Sequence, residues 1–138
     1  MEVIIVGVDG SDASFKALDL AAALVRDLPD AQLLAVFCSF RPYFFPDVVE
    51  DDLDTYGVEA EARGIEDRVK TRLDGTETRW TFERHDGQPA NELGRVADER
   101  GARMVVVGRS GLGAMREVMV GSVSNRLIHH SDCPVLLV

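Results

Sequence analysis

The chain predicts a doubly wound α/β domain with five parallel strands, and three observations carry that reading. Val3 to Val8 and Met104 to Val107 are apolar at nearly every position and too short for helices, as strands are when both faces of a parallel sheet are covered. Between such runs, apolar residues recur at helical spacing, so strands and helices alternate along the chain. Turn residues separate the two patterns at nearly every junction. The 138 residues suffice for one domain, 1–138, with a core that needs no staples.

Each element follows from local chemistry. Asp9-Gly10-Ser11-Asp12 ends the first strand. Ser11 or Asp12 can cap a helix in which Leu18, Ala21, Ala22 and Val25 repeat at i, i+3, i+4 and i+7. Pro29-Asp30 stops that helix, and Gln32 to Phe37 forms the second strand. Strand, helix and strand at this spacing make a right-handed crossover. Ser39 to Pro46 is an irregular insert whose Tyr43, Phe44 and Phe45 suit a lid, an interface patch or plain packing under a loop. A helix from about Val48 to Leu73 has its apolar stripe at Val58, Ala62, Ile65, Val69 and Leu73. Its acidic first turns (Glu50, Asp51, Asp52, Asp54) match the helix dipole and read as a solvated start rather than a metal site.

Thr78 to Arg84 alternates Trp80 and Phe82 with Arg79, Thr81 and Glu83, the period of a less buried strand near a sheet edge. Gly87-Gln88-Pro89 opens a helix with proline at its first position; Leu93, Val96 and Ala97 face inward, and Gly101 ends it. Met104 to Val107 is the fourth strand. A last helix closes near His130, and Pro134 leads into a fifth strand that ends the sequence.

The richest chemistry follows the fourth strand. Gly108, Gly111 and Gly121-Ser122 form a G-x2-G-x9-G-[ST] pattern, after which Val123, Leu127 and Ile128 resume helical spacing. Glycines let backbone N–H groups approach an anion with no Cβ in the way, a helix N-terminus adds unpaired donors, and Ser122 offers a hydroxyl. A Walker loop would need G-x4-G-K-[ST] and a dinucleotide fingerprint G-x-G-x-x-G; this segment has neither. The alternative, a tight strand-to-helix connection, needs only one or two glycines.

Four segments, IIVGVDGSDAS, GQPANEL, VVVGRSGLG…VGSVSN and SDCPVLLV, occur in this order across nearly the whole chain. In them the chain resembles the universal stress proteins, in particular the ATP-binding subclass that carries the glycine pattern. One departure is Ser110, where many members have histidine. The resemblance implies an adenine nucleotide alpha hydrolase-like sheet of order 3-2-1-4-5, which makes strands one and four neighbours and brings Asp9 beside Gly108 at the switch point where such sheets bind ligands. It also implies an adenine-nucleotide site at Asp9, Val36, Val107, Gly108, Ser110, Gly111, Gly121, Ser122, Val123 and Ser124. There Asp9 would meet a ribose hydroxyl or, through water, a Mg²⁺ on the phosphates, and Val36 would contact adenine through its backbone.

Composition narrows the partners. A net charge of −9 argues against nucleic acid and anionic membranes, so positive potential toward ATP must come from backbone N–H groups, a metal ion, or Arg109 and Arg116. No apolar run approaches membrane-spanning length, and the N-terminus reads as a strand rather than a signal peptide. Cys38 and Cys133 lack C-x-x-C spacing and read as reduced residues of a cytoplasmic protein. His85, His129 and His130 have no metal-ligand spacing, and no serine has a histidine base placed by motif. The short uncharged edge Val135 to Val138 suits pairing with its copy in a homodimer, which the resemblance implies too.

Three functions compete on this sequence. The first is a regulatory, stress-response ATP sensor with at most slow hydrolysis. The second is an adenine-nucleotide hydrolase acting at the α-phosphate, for which VDGSDAS lacks the glycine pair of an SGGxDS-like loop. The third is a nucleotide-free dimeric interaction module, against which the intact glycine pattern counts.

Overall fold

The computed structural model describes residues 1–40, 53–109, 126–127 and 131–138, with the backbone alone for 53–56. The described residues form, in chain order, β1 (Glu2–Gly7), α1 (Asp12–Asp27), β2 (Ala31–Ser39), α2 (Leu53–Leu73), β3 (Trp80–Asp86), α3 (Pro89–Arg100), β4 (Met104–Val107) and β5 (Val135–Leu137). All four strand pairings are parallel, and the order is β3-β2-β1-β4-β5. This is the expected doubly wound sheet.

Alternate residues of the central strands feed two cores. Ile4, Val6, Val8, Leu33, Ala35, Phe37 and Val106 meet α1 and α2, whereas Val3, Ile5, Leu34, Val36, Val105 and Val107 meet α3 and Leu127. Coverage on both sides explains why the strands read as unbroken apolar runs. The α2 stripe is buried as expected at Val58, Ala62, Ile65, Val69 and Leu73.

Several boundaries differ from expectation. β2 is longer at both ends, and β3 starts at Trp80 rather than Thr78 and continues to Asp86. The ladder sets these limits: Arg79 O accepts from Leu33 N–H, and pairing persists to Ser39↔Asp86, where the serine hydroxyl donates to the carboxylate at 2.5 Å. α1 ends at Asp27, because Leu28 takes the extended backbone favoured before proline. Of the last expected helix, Arg126 and Leu127 lie within the described residues, both helical. The start near Val48, the insert from Arg41 to Pro46, and His129 and His130 lie outside them. Among the described residues no helix is long and apolar enough to cross a membrane.

A candidate ligand site at the carboxyl ends of β1 and β4

β1 lies between β2 and β4 in the sheet, with Gly7 level with Val36 and Val6 level with Val106. The chain therefore leaves β1 at Asp9 and β4 at Gly108 side by side, at the position where strand order reverses. Open α/β sheets bind ligands in such a crevice.

The β1–α1 corner is a closed hydrogen-bonded unit. Asp9 Oδ1 accepts from Ser11 N–H at 2.9 Å, and Asp9 N–H donates to Ser14 Oγ at 3.3 Å. Ser11 is the helix cap, its Oγ accepting from Ser14 N–H at 3.2 Å, while Ser14 O–H donates back to Ser11 O at 2.9 Å. Gly10 turns the chain at φ +88°, a backbone state that side chains disfavour. Asp9 thus shapes the turn through one carboxylate oxygen. Asp12 adds a second carboxylate to the first turn of α1, so this helix start already carries its share of negative charge.

Gly108 has a packing reason to be glycine. A Cβ there would lie 2.8–2.9 Å from the backbone carbon, carbonyl oxygen and Cβ of Ala13. Helix α1 can approach β4 this closely only over a glycine, whatever binds beyond it. Val107 is fully buried and its carbonyl accepts from Val138 N–H, while Arg109 N–H donates to Val138 O, so β5 holds the chain on either side of Gly108. Val36 is 1% exposed and its carbonyl accepts from Val8 N–H, which ties β2 to the chain leaving β1.

The structure therefore brings together Asp9, Val36, Val107 and Gly108. Ser110, Gly111, Gly121, Ser122, Val123 and Ser124 lie outside the described residues, as do Arg116 and the aromatic triplet Tyr43, Phe44 and Phe45. Two further groups shape this end of the molecule. Ser14, a buried polar residue, was legible in the S-x-x-S spacing of Ser11 and Ser14. Arg68, on α2, donates to Gly10 O at 3.0 Å, and no local pattern marks it.

A family model describing the universal stress protein family matches residues 1–138. The universal stress protein YxiE of Bacillus subtilis (strain 168) is 30% identical, the alignment covering 98% of this chain and 97% of that protein. A universal stress protein crystallised in complex with cAMP is 28% identical with a TM-score of 0.69, covering 99% of this chain and 95% of that one. The Archaeoglobus fulgidus universal stress protein in complex with dAMP shares the fold, with a TM-score of 0.73, 20% identity and coverage of 99% and 97%. A whole-length family match, joined to the strand order and to the glycine pattern after β4, shows that this chain belongs to the universal stress protein family.

Proposed function

We propose that the chain binds an adenine nucleotide, ATP with Mg²⁺, across the carboxyl ends of β1 and β4, and that occupancy regulates its association with itself or a partner. The observation that carries this reading is the juxtaposition of Asp9 and Gly108 at the switch point, with the glycine pattern following in sequence. The relative crystallised with cAMP supports the adenosine half of the ligand.

The described residues fit such a ligand. Asp9 Oδ1 serves the turn, which leaves Oδ2 to accept from a ribose hydroxyl or from a water on Mg²⁺. The two carboxylates at the start of α1 repel phosphates from that corner, so the phosphates belong on the β4 side. There Gly108, Gly111, Gly121, Ser122, Val123 and Ser124 would supply backbone donors and hydroxyls, with Ser110 beside them. Val107 and Val36 would form the floor between phosphate and base. Hydrolysis, if any, is slow, since the sequence holds no Walker lysine and no catalytic base marked by motif.

A homodimer through β5 belongs to the same reading. Pro134 O and both backbone groups of Val138 point into the β4 ladder, so alternation turns the N–H and C=O of Val135 and Leu137 outward. A two-fold copy would satisfy them.

The test is mass spectrometry of nucleotide released on denaturing the purified protein, with calorimetric titration of the stripped protein by ATP, ADP, AMP and cAMP. Gly121→Val/Ser122→Ala serves as control. ATP released from the wild type and absent from the control supports the reading. Absence of binding by any adenine nucleotide overturns it and leaves a dimeric interaction module.

A further inference from the structure

We propose that Arg68 is a positioning residue for the nucleotide site: stacked on Phe15 and bonded to Gly10, it latches the turn that presents Asp9. This rests on the adenine-nucleotide reading above and adds to it a residue outside every loop of the site.

The geometry is specific. Arg68 lies on α2, 58 positions from Gly10, and its Nη1 donates to Gly10 O at 3.0 Å. Its guanidinium carbon stands 4.1 Å from the centroid of the Phe15 ring. Phe15 is 1% exposed and sits one residue past Ser14, whose hydroxyl receives Asp9 N–H. Arg68 therefore grips both ends of the corner, the carbonyl of the positive-φ residue and the first buried aromatic of α1. The flat, rigid fork of arginine can stack on the ring and donate from its edge in one fixed geometry, which the compact ammonium on lysine's flexible stem does not reproduce. Ile65, three residues before, has its side chain 3.8 Å from where a Cβ on Gly10 would lie, so α2 brings an apolar and a cationic side chain to this turn together.

The same ring supplies an internal control. Arg72 lies 5.1 Å from the Phe15 centroid, but its hydrogen-bond partner is Asp19 Oδ2 at 2.6 Å, on α1 itself. It braces the two helices without touching the turn. Loss of Arg72 removes the shorter, charged contact; loss of Arg68 removes the one that reaches the site.

The experiment compares Arg68→Met, Arg68→Lys and Arg72→Met in the full chain, each checked for folding by thermal denaturation. ATP affinity is measured by calorimetry and amide exchange by NMR. Both Arg68 variants are expected to weaken ATP about tenfold, with Arg72→Met within about twofold of wild type, since misplacing a ligand contact penalises binding whereas loosening a distant brace does not. Amide exchange at Gly10 and Ser11 should accelerate in both Arg68 variants and stay unchanged in Arg72→Met. Equal affinity losses in Arg68→Met and Arg72→Met would reduce Arg68 to a structural brace and overturn the proposal. Full rescue by Arg68→Lys would overturn it too, by showing that charge alone matters. If the wild type binds no adenine nucleotide, the functional reading fails by itself. In that case unchanged exchange at Gly10 and Ser11 in Arg68→Met sinks the latch, and selective acceleration there upholds it.

Discussion

The two edges of this sheet are built on opposite plans. β3 presents seven residues, and five of their side chains are polar or charged beyond Trp80 and Phe82. Arg79 O and Gly87 N–H engage β2, so alternation turns the backbone groups of Trp80, Phe82, Arg84 and Asp86 outward. Charge surrounds them. Asp86 receives Ser39 Oγ at 2.5 Å and Arg84 at 3.1 Å, and Glu83 receives Arg100 at 2.6 Å. His85 Nε2 lies 2.8 Å from the Glu83 carboxylate and its Nδ1 3.3 Å from the Arg95 guanidinium. β5 presents three residues, Val135–Leu137, all apolar and all half-buried. Among the described residues, one edge is guarded by paired charges and the other carries none. In the proposed dimer a single pairing edge would close about a two-fold axis, whereas two such edges would permit endless growth.

The comparison breaks most decisively at β5. Val135→Pro removes an outward N–H and leaves the ladder to β4 intact, so it should dissociate the proposed dimer, raising its Kd by at least about a hundredfold. Sedimentation across a concentration series reads this directly. The matching change at the other edge, Arg84→Pro, also removes an outward N–H and should leave the mass unchanged. A dimer lost only in Arg84→Pro would reverse the assignment of the edges, and a wild-type monomer would refute pairing at either.

The centre of the sheet should be less tolerant than either edge. Gly108→Ala forces a methyl against the backbone of Ala13 and should cost about 2 kcal/mol in urea unfolding. Ser11→Ala, which removes the α1 cap, should cost about 1 kcal/mol in the same assay.

The smallest effect belongs to the charges of β3. Burial alone would raise the Glu83 carboxyl, but hydrogen bonds from His85 and Arg100 hold it below the usual range. Asp86 is lowered chiefly by the Ser39 hydroxyl, with Arg84 adding to it. Carboxyls lowered in the fold contribute stability above their unfolded values, ~4.3 for glutamate and ~3.9 for aspartate, and lose it as pH falls through the folded ones. Unfolding of the wild type should therefore be more acid-sensitive below about pH 4 than that of Glu83→Gln/Asp86→Asn, with under about 1 kcal/mol between them at pH 7 because the groups are largely solvated. Identical acid limbs would show that the edge charges defend β3 without stabilising it.

Much of this molecule was legible from local periodicity. The α2 stripe from Val58 to Leu73, Pro89 opening α3 and the four residues of β4 all stand where the spacing of apolar residues places them. The strand order and the site residues came from the resemblance, and the structure bears out the order. The ends of β2 and β3 were not legible, because where a ladder stops depends on its partner strand rather than on the alternation within one.

The sequence by itself determined the fold class and narrowed the cap of α1 to Ser11 or Asp12, since each is written in residues within a turn or two of one another. Only the tertiary structure decided why Gly108 must lack a side chain, which edge carries its charges in pairs, and that Arg68 reaches Gly10 from 58 positions away. Those contacts join residues whose separation along the chain carries no period. They exist because two helices pack on one face of a sheet, and that packing is a property of the folded chain as a whole.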